Sequence, residues 1–294
     1  LKINDRLKTL LEGACVSALF QGRALDINVA IEKPRLKEHG DFASGIALTI
    51  ADGNTKTAML IAQAIVDNLK AVPKDVATIG CENGFINFNL GPYFLCQSLR
   101  DLHAASKNLL PKAKTGQIDR ATMASKKDSL FYIQYMHAKL SACLSVALER
   151  AINTEAYRVD EPLIQPAEWQ NLLASYGEEF ALFRPLFHSE ANIFSRQKDL
   201  VLHLDSHQIE ISLIANDKNN ECITDYACKL ASKLDNYFEH CLLSGNGDVV
   251  TNSSLSKAEW AKSYLAAHLG LIVAAKRVLA HCLGILGLVA PTTI

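Results

Sequence analysis

Apolar positions Ile3, Leu7, Leu10, Leu11, Cys15, Ala18 and Leu19 recur at helical spacing, so residues 2–20 are predicted to form an amphipathic helix with one buried stripe. Residues 26–32 (DINVAIE) alternate Ile27, Val29 and Ile31 with polar or small residues and predict a strand. A basic turn, KPRLKEHG, follows it. The segment DFASGIALTIAD then predicts a helix with Asp41 near its start, broken at Gly53-Asn54. Thr55 or Thr57 is expected to cap a further helix reaching about Leu69, which Val72-Pro73 ends. Residues 75–82 and 85–90 predict two short strands around Asn83-Gly84, the strongest short hairpin signal a sequence offers. A helix from Tyr93 to His103 closes a small α+β domain, residues 1–103.

Residues 104–128 lose the apolar period. They hold Pro111, Gly116 and six basic residues (Lys107, Lys112, Lys114, Arg120, Lys126, Lys127) against Asp119 and Asp128. This linker reads either as a solvated connector or as a basic strap that tracks a phosphate backbone. Beyond it the helical period dominates residues 129–294. Helices are expected over 129–151, 167–195, 206–215, 220–243 and 255–284, the last bent at Gly270, with a polar loop at 244–254. The expected fold class is an α+β N-terminal domain followed by an all-α helical bundle, mainly α overall.

Composition narrows the function. Apolar residues make up 49% of the 294-residue chain and charged residues 21%, a globular balance. The formal net charge is −1. The linker carries +4 and the remainder therefore −5, so any nucleic-acid contact must come from local patches. The eight cysteines form no CxxC pair and read as reduced, mostly buried thiols. The run Leu265–Ala290 is apolar enough to test as a membrane span. His268, Lys276, Arg277 and His281 within it favour a buried helix. The first 21 residues look like an amphipathic helix and not a signal peptide, which places the protein in the cytoplasm, or in an organelle stroma or matrix had a leader been removed before Leu1.

No GxGxxG, P-loop, GxSxG or HExxH occurs, and no cofactor or metal is expected. His203, Asp205 and His207 in HLDSH read as a solvated turn in preference to a metal site. Cys222 and Cys228 read as core, and His137 as a packed, hydrogen-bonded side chain. Two stretches stand out. In GFINFNL, Phe85 and Asn87 share one strand face and Ile86 and Phe88 the other. An aromatic plane beside an amide suits a splayed base, and equally an ordinary core face with an edge Asn. In FYIQYMHAK, Tyr132, Tyr135 and Lys139 fall at i, i+3 and i+7. They form either an aromatic and cationic ridge for single-stranded RNA or a helix with two tyrosines half in the core.

Taken together, these segments resemble arginyl-tRNA synthetase at both ends of the chain. GDFASGIALTIA and GFINFNL resemble that family's N-terminal additional domain. IDRATMASKKDSLFYIQYMHAK, LDNYFEHC and LGILGLVAP resemble its helical, DALR-type anticodon-binding domain, through the YxQYxHAR, FNxFYxxC and LLGIxAP segments. The resemblance covers nearly the whole chain except the linker. The catalytic domain that lies between these parts in the family has only the linker in its place. MASKK, residues 123–127, resembles a KMSK loop only superficially, because no nucleotide-binding fold accompanies it. The resemblance therefore implies a non-catalytic paralogue that kept the parts that grasp tRNA. It assigns Phe85 and Asn87 to a base of the D-loop and Tyr132 to the anticodon loop. Lys139 stands where the family has Arg, which keeps the charge and loses the planar fork. His268 stands where the family has an Arg, and the usual charged terminus is Pro291-Thr292-Thr293-Ile294.

Three functions follow from this reading. The first is a tRNA-binding module acting through Phe85, Asn87, Tyr132, Tyr135 and Lys139, with Lys112, Lys114, Lys126 and Lys127 of the linker, that serves another protein. The second is a scaffold or subunit of a larger protein assembly with no RNA role, suggested by the near-neutral charge and the lost arginines. The third, an enzyme with a new site, rests on His203, Asp205 and His207 alone.

Overall fold

The computed structural model describes residues 3–19, 28–69, 77–106, 127–153, 191–207, 220–242 and 257–293. They divide into two compact units, Leu1–Ser98 and Leu99–Ile294. Among them are eight α-helices and one three-stranded antiparallel sheet, so the chain is mainly α, with its only described sheet in the N-terminal unit.

In that unit, α1 (Ile3–Leu19) buries Ile3, Leu7, Leu11, Ala14 and Cys15, the stripe its spacing predicts, against α3 (Thr55–Asn68). β2 (Ala77–Glu82) and β3 (Phe85–Leu90) form the expected hairpin. Its two-residue turn has Asn83 at φ 52° and Gly84 at φ 81°, the left-handed pair that Asn-Gly supplies. A Cβ on Gly84 would lie 2.9 Å from Ala58 Cβ and 3.1 Å from Leu48 Cδ2, so the turn is seated on the helices beneath it. Ile86, Phe88 and Leu90 alternate into the core, where they meet α3 and α2 (Ile46–Ile50).

The structure corrects several expectations here. Phe42–Ser44, expected as the start of a helix, is strand β1, and it pairs with β3 to give the order β1-β3-β2. Tertiary contacts override local propensity at this point. The Leu90 amide donates to Asp41 Oδ2 at 2.7 Å, the Asp41 amide donates to the Phe88 carbonyl at 2.8 Å, and the buried Ser44 hydroxyl donates to the Ala30 carbonyl at 2.7 Å. Gly40, at φ 94°, lets the backbone approach so closely that a Cβ would sit 2.7 Å from the Phe88 carbonyl oxygen. The strand expected at 26–32 is reduced, among the described residues, to a single bridge between Glu32 and Ala43. The cap of α3 is Asn54, whose side chain accepts from the Thr57 amide at 3.1 Å, and neither Thr55 nor Thr57. That cap contributes about 1 kcal/mol. α4 (Pro92–Ser106) starts and ends a little outside its expected span and crosses the division between the units.

The helical unit contains α5 (Lys127–Asn153), α6 (Ala191–Asp205), α7 (Asn220–Tyr237) and α8 (Lys257–Ile285). α7 packs on α5, α6 and α8, and a π-helical turn, Phe238–Leu242, extends it. The core is Ile133, Met136 and Leu140 from α5, Leu200 and Leu204 from α6, Leu230 and Leu234 from α7, and Leu271, Val278 and Leu283 from α8. Ala267–Ile285 is long and apolar enough to cross a membrane by length and composition, but 56% of it is buried inside this unit. Helix α6 runs through residues 196–205, where no element was expected. Residues 208–215 of the helix expected at 206–215, most of that at 167–195, and the loop at 244–254 lie outside the described residues. The described cysteines form no disulfide. Cys15, Cys96 and Cys282 are buried, whereas Cys222, expected in the core, is exposed because the surface face of α7 carries it.

Candidate nucleic-acid interface

Strand β3 is the centre of the N-terminal sheet, and its two faces differ completely. Ile86, Phe88 and Leu90 point inward. Phe85, Asn87 and Asn89 point outward, with Phe85 43% exposed. This is the alternation the sequence indicates, and it settles Phe85 as an outer-face residue. Across the hairpin, Glu82, Gly80 and Thr78 of β2 pair with Phe85, Asn87 and Asn89 respectively. On the other side Asn87 pairs with Ala43 of β1. Asn87 thus stands between a glycine and an alanine, half-exposed, and its amide has no hydrogen-bond partner among the described residues. The Phe85 ring lies against Gly45, where a Cβ would be 3.3 Å from Cε1. The surface therefore offers one aromatic face and one unengaged amide about two residues apart along a strand, roughly 7 Å. A planar base can stack on the first and hydrogen-bond the second.

The bridge between Glu32 and Ala43 brings the KPRLKEHG turn to the edge of the sheet beyond β1. Lys33, Arg35 and Lys37 of this turn are exposed, and Lys33 and Arg35 have no carboxylate partner among the described residues. Sequence reasoning noted the turn as basic without assigning it to the site. The signal was present: three cations in five residues beside a strand. At the other edge of the sheet His39 Nδ1 lies 3.3 Å from Glu82 Oε2.

In the helical unit, Tyr132, Tyr135 and Lys139 do share one side of α5, but the ridge is not an open cationic one. Lys139 Nζ donates to Asp235 Oδ1 of α7 at 2.6 Å and lies 5.2 Å from the centre of the Phe238 ring. Burial pushes the Lys139 ammonium down. The hydrogen bond and charge of Asp235, aided by Tyr135 and Cys143, outweigh that and leave its pKa raised. Tyr132 is half-buried, and its hydroxyl is pushed above its usual range by burial and then by Asp235, Cys228 and Glu239. Tyr135 is 36% exposed and Phe131, which the sequence reading did not single out, 66%. On the opposite flank of α5, Gln134 Nε2 donates to the Val289 carbonyl at 2.9 Å, and His137 Nδ1 donates to the Pro291 carbonyl at 2.7 Å. His137 is thus the packed, hydrogen-bonded histidine its position suggested, 3% exposed. Lys112, Lys114 and Lys126 lie outside the described residues. Lys127 opens α5, and its side chain is likewise outside them.

HLDSH is not a solvated turn. His203 stacks on Tyr226 at 4.4 Å between ring centres, its Nε2 donating to the Tyr226 carbonyl at 3.1 Å while the Tyr226 hydroxyl donates to the His203 carbonyl at 3.0 Å. His207 is buried and lies 3.3 Å from His281 Nδ1 through Nε2. Burial, then the neighbouring His281 and His203, push its pKa down to about 3. The continuation of α6 through Asp205 carries Leu204 and His207 into the core and leaves His203, Asp205 and Ser206 half-buried. No group of three His, Cys, Asp or Glu side chains that could hold a metal occurs among the described residues. His268 is also buried, bonded to the Tyr237 hydroxyl, and burial lowers its pKa to about 4.

Comparison with known proteins bears on both units. Residues 2–90 match the family described as "Arginyl tRNA synthetase N terminal domain", and residues 133–294 match "DALR anticodon binding domain". Among curated proteins, the chain is 39% identical over 93 residues to an arginine–tRNA ligase of Aliarcobacter butzleri, covering 32% of this chain and 17% of the relative. It is 40% identical over 75 residues to the ligase of Prosthecochloris aestuarii, covering 25% and 14%. It is 26% identical over 156 residues to that of Bordetella pertussis, covering 51% and 25%. The alignments thus span a quarter or less of the length of these relatives, and the two matched family domains leave only residues 91–132 between them. The chain carries a match to the arginyl-tRNA synthetase N-terminal domain followed by one to the DALR anticodon-binding domain, and by the latter match over more than half its length it belongs to the DALR anticodon-binding domain family.

Proposed function

We propose that this protein is a non-catalytic tRNA-binding protein of the cytoplasm that holds tRNA for another protein, with the N-terminal sheet taking an unpaired D-loop base and the helical unit engaging the anticodon loop. The observation that carries the reading is the exposed Phe85 ring beside the half-exposed Asn87 amide, which has no hydrogen-bond partner among the described residues, on the outer face of the sheet. Stacking on an aromatic contributes about 1–3 kcal/mol per base. The amide supplies donor and acceptor to a base edge. Lys33 and Arg35 supply phosphate contacts, which make binding fall with salt. The short interval 91–132 between the matched domains supports a role without adenylation chemistry. Mobility-shift titration with total tRNA at low salt tests the proposal. Wild type should shift, Phe85→Ala and Asn87→Ala should weaken binding by about tenfold each, and the protein should give no arginine-dependent ATP–pyrophosphate exchange. A protein that shifts no tRNA at low salt would sink the reading.

A second reading, a scaffold or subunit of a protein assembly, is favoured by one observation: Asp235 occupies Lys139, and Asp235 and Glu239 face Tyr132. Carboxylates there repel phosphate. Purification from native extract separates the two, since a monomer carrying tRNA and no protein counts against the scaffold.

A further inference from the structure

Gly80, like Gly13 on helix α1, is a glycine whose identity the fold does not require. It stands in the interior of β2, exposed, directly opposite Asn87. Its φ lies outside the left-handed region, and a Cβ built on it would meet nothing within 4 Å among the described residues. Gly40 and Gly84 are different: positive φ and contacts under 3 Å demand glycine at both. In a strand interior glycine weakens the strand, and where neither bulge nor turn calls for it, it marks the close approach of another group. Gly45 is a related case. Its backbone, φ −90° and ψ 19°, suits any residue, yet a Cβ would lie 3.3 Å and 3.8 Å from Cε1 and Cδ1 of Phe85. The missing side chain lets the Cδ1–Cε1 edge of a ring that is 43% exposed approach the backbone closely.

We infer that Gly45 and Gly80 are the specificity-determining residues of the outer sheet face: Gly45 sets the height of the Phe85 ring, and Gly80 keeps the floor beside Asn87 open to the edge of one planar base. This rests on the base-binding reading above. A side chain at position 80 would stand on the same face as Asn87, one strand spacing of about 4.8 Å away, within the space a base stacked on Phe85 needs to reach the amide. One at position 45 would lift or turn the ring that does the stacking.

The test uses the full chain, total tRNA as probe, and melting temperature alongside affinity. Gly80→Val is expected to leave the melting temperature unchanged or raise it, because a β-branched residue favours the strand, while tRNA affinity falls about tenfold. A purely structural glycine would show the opposite: a lower melting temperature with binding that follows it. Gly80→Ala, with only one carbon added, serves should the valine variant fail to fold, and is expected to show a smaller loss of the same kind. Gly45→Ala is expected to weaken binding in the wild-type background and to add nothing in a Phe85→Ala background, since it acts through that ring. Wild-type affinity in Gly80→Val and Gly80→Ala, with wild type itself binding tRNA, overturns this inference and leaves the base-binding reading standing. Absence of wild-type binding overturns both.

Discussion

Phe85 in the N-terminal unit and Tyr132 in the helical unit are each an aromatic ring set among polar residues, yet the two units surround them differently. Phe85 projects from the second face of a sheet whose first face packs on α2 and α3; Glu82 stands directly opposite it, Gly45 lies beneath its ring, and Gly80 and Ala43 flank Asn87 next along the strand. Tyr132 projects from a helix whose flanks are both occupied, one by Asp235 of α7 and the other by the segment carrying Val289 and Pro291. An antiparallel sheet can pack one face and leave part of the other to solvent, here Phe85 and Gly80, while Ala43 on the same outer face is buried. A helix inside a bundle shares every face but one narrow strip, here Phe131 and Tyr135. The difference recurs in buried chemistry. The N-terminal unit ties its inward polar groups to backbone, as Asp41 and Ser44 do, while the helical unit buries histidines.

The sharpest way to break the contrast between the two faces of β3 is to truncate one ring on each. Phe88 is fully buried and Phe85 is 43% exposed, three residues away. Phe88→Ala should cost about 3–5 kcal/mol through lost burial and a cavity, and Phe85→Ala below about 1 kcal/mol. Urea denaturation measures both. Equal losses would mean that the outer face is also part of the packed core.

Acid should separate the units next. His207 and His268 are held at about 3 and about 4 in the fold, against an ordinary value of 6.5, by burial, with His281 and His203 adding to the shift at His207. His137 and His281 are lowered as well. A lowered value means that the unfolded chain takes up the proton first. The stabilisation is complete above pH 6.5 and drains away as pH falls toward the folded values. Each of the two deeply buried histidines then removes about 2 kcal/mol between pH 7.5 and pH 5. Amide hydrogen exchange followed by peptide should show α7 and α8 opening at pH 5 while β3 stays protected. Parallel loss in both units would refute the assignment.

What could be read in advance followed the range of the contacts that decide each feature. The β2–β3 hairpin was legible because its turn residues and alternation lie within fourteen positions, and α1 because its stripe repeats along one element. β1 was not, since DFAS becomes a strand through Leu90 and Phe88, nearly fifty residues on. That Phe85 and Asn87 share a strand face was legible from the alternation, but not that this face is the outer one, which the packing of Ile86, Phe88 and Leu90 on α2 and α3 decides. The neutralisation of Lys139 did not, because its partner is 96 residues away. HLDSH misled for the same reason: its polarity is local, and the Tyr226 and His281 that absorb it come from other helices.

The smallest effect is the most discriminating for the helical unit. Asp235→Asn removes one carboxylate from a pair whose side chains are 29% and 36% exposed, so the stability cost is about 1 kcal/mol or less after solvent screening. Electrostatically the change is larger. It frees Lys139 as a net cation beside Tyr132 and lowers the Tyr132 pKa toward its ordinary value, since Asp235 acts on both. If tRNA lies against this side of α5, affinity at low salt should rise a few-fold and its salt dependence should steepen by about one released counterion. If the helical face meets a protein instead, neither tRNA affinity nor its salt dependence should respond to Asp235→Asn, and loss of Lys33 and Arg35 of the N-terminal turn should flatten the salt dependence alone. Comparing Lys33→Ala/Arg35→Ala with and without Asp235→Asn distinguishes these outcomes, because with all other cations unchanged only a helical unit in contact with RNA binds more tightly and more salt-sensitively when Asp235 is replaced.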